Sequence, residues 1–66
     1  MAYSNAYEYL VADFTKQQET VGVQLTSGRV SSMEEYRRLC GLIQGLEYAK
    51  ETVKDLQKRQ EQDADE

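Results

Sequence analysis

No proline interrupts the 66 residues of this chain, so a long helix can end only where glycine or a capping residue ends it. The strongest break is Ser27-Gly28, because glycine easily adopts the positive φ that the residue after a helix requires. Ser32 and Glu35 follow at the spacing of a capping box, which marks a helix start. Ser31 with Glu34 is the alternative register. The chain therefore predicts one helix on each side of a turn.

Apolar residues recur at helical spacing on both sides of this break. The first stripe is about 100° wide and the second about 140° wide. Gln17 and Gln18 interrupt the first stripe in its middle, and the alternation of Val21, Val23 and Leu25 could instead mark a short extended stretch. The pattern upstream favours a helix there too.

These stripes predict an all-α fold, an antiparallel two-helix hairpin. Its first helix spans about 4–26, its turn 27–31 and its second helix about 32–60, and an acidic tail follows at 61–66. Folding back at the turn is expected to place Phe14 beside Ile43. The residues expected to form the hairpin core are Tyr7, Leu10, Phe14, Val21, Tyr36, Leu39, Ile43, Leu46, Val53 and Leu56.

The charge is concentrated at one end of the chain. The sequence has 12 acidic and 8 basic residues; residues 1–59 contain eight of each, so the four excess acids lie in the tail. A neutral body without a basic stripe argues against nucleic acid as a partner. The tail is either a solvated terminus or an acidic peptide that docks on a basic surface.

The composition also argues against most kinds of catalytic site. There is no histidine to transfer protons near neutral pH. Cys40 is the one cysteine, so neither a disulfide nor a common zinc site can form within the chain; as a free thiol it suggests a reducing compartment. No apolar run approaches the ~20 residues that span a bilayer, and no signal peptide opens the chain. We expect no enzyme activity, no metal and no cofactor.

Two helices share a seam and cannot enclose a core, so the hairpin is expected to self-associate or to dock on a larger protein. Gly41, Gly45 and Ala49 repeat every four residues along the second helix, and such tracks let another backbone approach closely. Either the first helix packs over this track, or the track belongs to a second interface. For that interface we expect Gly41, Gly45, Tyr48 and Ala49, together with Tyr9 on the first helix.

One stretch of the second helix resembles a known family. Tyr36 to Leu46 reads Y-R-x-x-x-G-x-I-x-G-L, and with the Ser27-Gly28 turn, Ala49 and Val53-Lys54-Asp55-Leu56 it is similar to small helical proteins encoded in the head and virion gene modules of tailed bacteriophages. The resemblance covers about half of the chain. Most members have no assigned role, and the family brings no catalytic residues.

The resemblance implies a non-enzymatic bacteriophage structural accessory protein. It would be a minor virion component, bound through the second helix to capsid, portal or tail proteins or to further copies of itself, in the virion or the host cytoplasm. Two alternatives stay open: a phage-encoded inhibitor of a host enzyme or defence complex, whose acidic tail engages a basic groove, and an assembly chaperone absent from the mature virion.

Overall fold

The computed structural model describes residues 5–64, which form two α-helices, α1 (Ala6–Thr26) and α2 (Met33–Ala64). The two helices pack against each other along their length as an antiparallel hairpin. The predicted fold class, an all-α helical hairpin, is confirmed.

Side-chain caps fix both helix starts. The backbone N–H of Glu8 donates to Asn5 Oδ1 at 2.9 Å at the start of α1, and the N–H of Glu35 donates to Ser32 Oγ at 3.1 Å at the start of α2. Of the two capping registers, the structure has Ser32 rather than Ser31. Gly28 occupies the turn with φ 79°, the conformation for which glycine is suited.

The second helix is longer than its apolar pattern predicts. It continues to Ala64, past the expected end at about 60 and into the segment taken as a tail. Residues 57–62 are Gln, Lys, Arg, Gln, Glu and Gln, straight-chain residues that continue a helix at little cost without packing. Residues 58–63 are exposed, so this end of α2 is helical by propensity.

Residues that are buried or half-buried recur at alternating spacings of three and four on both helices, the spacing of a coiled coil. We call these twelve residues the seam: Tyr7, Val11, Phe14, Gln18, Val21 and Leu25 on α1, and Leu39, Ile43, Leu46, Lys50, Val53 and Gln57 on α2. Within residues 5–63, Leu39 alone is fully buried, with 2% of its surface exposed. The seam therefore joins the helices without enclosing a core.

Most of the predicted core residues lie in the seam, but three do not. Leu10, Tyr36 and Leu56 are 38%, 49% and 46% exposed. Leu10 and Leu56 lie at the edges of their stripes, where a single facing helix does not reach. Tyr36 lies in the first turns of α2, for which the register of the two helices gives the reason below.

The hairpin is a single layer. Its principal extents are 53 × 25 × 10 Å and its radius of gyration is 15.5 Å, against about 11 Å for a compact domain of this length. Stable domains bury their apolar faces between two packed layers. Residues 5–64 form one layer, and nothing within that range covers either of its broad faces.

Candidate protein interface on the outer side of α2

The register of the hairpin is fixed by one glutamine of the seam. Gln18 Nε2 donates to the backbone carbonyl of Ile43 and to Glu47 Oε1, each at 3.1 Å. Lys50 Nζ donates to Gln18 Oε1 at 3.1 Å. The amide thus enters the space between successive turns of α2, as a knob enters a hole in a coiled coil.

These contacts put Gln18 level with Leu46, midway between Ile43 and Lys50. The expected pairing of Phe14 with Ile43 is therefore wrong, since it would place Gln18 level with Leu39, seven residues away. The six-residue connection 27–32 lets α2 begin beyond the end of α1, and the polar partners of Gln18 select this register. Tyr36 is exposed because, in this register, it lies beyond the last turn of α1.

Lys50 and Glu47 complete this polar cluster. Lys50 Nζ lies 3.5 Å from Oε1 of Glu47, three residues earlier on the same helix. The hydrogen bond from Gln18 and the Lys50 cation lower the pKa of Glu47 below its ordinary value. Sequence reasoning missed Gln18 by treating it as an interruption of the stripe; the signal was a second polar residue, Lys50, at a seam position of the other helix.

The glycine track lies on the outer side of α2, away from α1. Gly41, Gly45 and Tyr48 are exposed, and Tyr48 has 74% of its surface in solvent. A Cβ added at Gly41 or at Gly45 would meet no atom within 4 Å. The reading in which α1 packs over the track is therefore wrong. Ala49, the third residue of the track, is half-buried and lies nearer to the seam than the two glycines.

The structure does not bring Tyr9 to this surface. Tyr9 is 54% exposed and lies two residues, or about 200°, from the seam residue Tyr7. It consequently faces outward from α1, at the opposite edge of the hairpin from Tyr48. The five residues predicted for one interface belong to two separate edges.

Other chemistry has little support in residues 5–64. No three or more of their cysteine, aspartate and glutamate side chains are grouped so as to hold a metal ion. Cys40 is a free, half-buried thiol. Neither of the two described helices is long and apolar enough to cross a membrane.

The most distinctive geometry of the described residues is thus an outer side of α2 on which a large aromatic residue stands beside two uncovered glycines. Comparison with known proteins adds no relative: no family model, no curated protein and no solved structure matches this chain.

Proposed function

We propose that this protein is a non-enzymatic accessory component of a bacteriophage virion, which binds a larger capsid, portal or tail protein through the outer side of α2. The observation that carries the proposal is the exposure of Tyr48 beside the uncovered Gly41 and Gly45.

The glycines support a binding role because the hairpin itself does not use them. Each costs a helix about 1 kcal/mol relative to alanine, and open space surrounds the position where a Cβ would stand. A residue without a side chain lets another chain approach the helix backbone closely. Tyrosine is among the residues that most often anchor protein interfaces, and Tyr48 stands one turn from Gly45.

The phage assignment is supported by the motif from Tyr36 to Leu46. Its Ile43 and Leu46 lie in the seam, whereas its Gly41 and Gly45 lie on the outer side. The motif thus combines residues that join the helices with residues that leave α2 open to a partner.

A photo-crosslinking residue at Tyr48 tests the proposal in infected cells and in purified particles. We expect it to crosslink to a virion protein, because the partner covers this side of α2. The matched control is the same residue at Val23, which is 66% exposed on the outer side of α1 and is expected to remain uncrosslinked. Absence of the protein from particles, or equal crosslinking from both positions, would overturn the proposal.

The identity of the crosslinked partner separates the alternatives. A host enzyme would replace the virion role with that of an inhibitor. If the partner is a virion protein but the crosslink forms only in assembly precursors, and finished particles lack this protein, the role would be that of an assembly chaperone.

A further inference from the structure

Three exposed leucines lie on the same broad face of the hairpin. Leu10, Leu42 and Leu56 are 38%, 44% and 46% exposed. At 100° per residue, Leu42 and Leu56 lie about 60° and 100° to one side of the α2 seam. Leu10 lies about 60° from the α1 seam, and because the helices are antiparallel this is toward the same face. We call this surface the leucine face.

On α2 the leucine face is symmetric about Ala49. Leu42 precedes Ala49 by seven residues and Leu56 follows it by seven. The small residues Gly45 and Thr52 lie between them on the same side of the helix. A two-fold axis beside Ala49 would therefore set leucine against leucine and small residue against small residue. Such self-complementarity is what a two-fold interface requires.

The α1 side of the face is symmetric about the same level. At the angles that Leu42, Gly45, Ala49, Thr52 and Leu56 occupy on α2, α1 carries Ala6, Leu10, Asp13, Gln17, Thr20 and Gln24, which are centred on residue 15. With Gln18 level with Leu46, residue 15 lies beside Ala49 of α2. One axis consequently serves both helices, with Leu10 facing Thr20 and Asp13 facing Gln17 of a second copy. Leu10 is the one large apolar residue in this α1 set, so the apolar contact lies mainly on α2.

The chain as a whole exposes more surface than a compact monomer of its mass would. The chain exposes 5413 Å², whereas a folded monomer of 7.6 kDa is expected to expose about 4,300 Å². The excess, about 1,100 Å², exceeds the roughly 800 Å² that each partner buries in a standard interface.

We propose that two copies of this chain pair through their leucine faces, α2 on α2 and α1 on α1, as an antiparallel four-helix bundle with its two-fold axis beside Ala49. The second copy supplies the layer that the hairpin lacks. It covers Gly45 but leaves Gly41 and Tyr48 at the outer edge of the bundle, where the proposed function places the virion partner.

The mass in solution gives the first test. By sedimentation velocity at micromolar concentration, we expect twice 7.6 kDa for the unaltered chain. Leu56→Lys should halve that mass, because it places a charge in the apolar contact. The control Val23→Lys changes a side chain of greater exposure at the outer edge and should leave the dimer intact. A monomeric unaltered chain, or a Leu56→Lys chain that remains dimeric, would overturn the proposal.

Disulfide trapping tests the axis without relying on a disruptive variant. In a Cys40→Ser background, Ala49→Cys should form a disulfide-linked dimer on mild oxidation, since the axis brings the two positions within the range that a disulfide spans. Lys16→Cys, at nearly the same level but at the outer edge of α1, should remain reduced. A dimer that is not trapped through residue 49, or is trapped equally through residue 16, would refute this arrangement.

Discussion

Lys50 reaches across the hairpin to donate to Gln18 at 3.1 Å, although both residues occupy seam positions where apolar side chains are the rule. Gln18 in turn donates to Ile43 and Glu47. A polar residue in the seam of a coiled coil selects one register and lowers stability. The axial alignment of the two helices therefore rests on a few hydrogen bonds.

Replacing Gln18 with alanine should lower the free energy of unfolding by about 1–3 kcal/mol, because it removes three hydrogen bonds and leaves Lys50 without its acceptor on α1. Gln44→Ala is the matched control, since Gln44 is exposed on α2 and lies outside both the seam and the leucine face; we expect a change within about 0.5 kcal/mol. Urea denaturation at a fixed protein concentration measures both. Equal losses of unfolding free energy in the two variants would show that the hydrogen bonds of Gln18 do not stabilise the pairing of the helices.

Replacing both Gln18 and Lys50 with leucine should preserve or raise the free energy of unfolding, because apolar residues then fill both seam positions. The same change removes the polar groups that select one register. Spin labels at one exposed position on each helix report the alignment. We expect a single narrow distance distribution in the unaltered chain and a broader one in the double variant; an unchanged distribution would mean that the apolar residues alone fix the register.

The contacts that Gln18 and Lys50 make with Glu47 should weaken in acid. Glu47 has a lowered pKa in the folded chain, so its contribution is fully present above its ordinary value of 4.5 and is lost as pH falls through the lowered pKa. Carbon-13 NMR of the Glu47 carboxylate follows this titration. Gln18→Ala should raise the pKa of Glu47, because it removes the largest cause of the shift, and Gln17→Ala should not move it. Equal titration curves for the two variants would contradict the assignment.

The glycines should respond in opposite directions to substitution by alanine. Gly41→Ala should raise the free energy of unfolding by about 1 kcal/mol, because the added methyl group meets no atom and alanine favours the helix. Gly28→Ala should lower it by about 1 kcal/mol, because Gly28 has φ 79°, which an L side chain disfavours. Thermal denaturation shows whether each variant is more or less stable than the unaltered chain. A destabilising Gly41→Ala would mean that the track is packed within the hairpin.

Local chemistry in the sequence was enough to predict the fold class. The turn glycine at residue 28, the cap at Ser32 and the two stripes each act within a few residues of the chain, so they predict two helices and the faces that meet. Periodicity reports angle around a helix and says nothing of position along it. The error of seven residues in the predicted alignment of Gln18 with α2 follows from that, and so does the wrong prediction that Tyr36 lies in the core.

The candidate interface was predicted less completely. Gly41, Gly45 and Tyr48 share a side of α2 because they share a helix, which spacing alone reveals. Tyr9 was added for its residue type, and only the packing of α1 places it at the opposite edge. Whether a residue belongs to the leucine face depends on the side of the seam on which it lies and on the antiparallel packing of the helices. This face could therefore be identified only from the structure.

The unequal lengths of the helices, 21 residues in α1 and 32 in α2, have a dynamic consequence. Residues 59–63 of α2 are exposed and extend past the first turn of α1, so their helical hydrogen bonds can open without separating the helices. Their amides should exchange with solvent at the rate of helix fraying, whereas those around Leu46 exchange only when the hairpin opens. The length of chain that is helical and the length that unfolds as one unit are therefore different quantities in this protein.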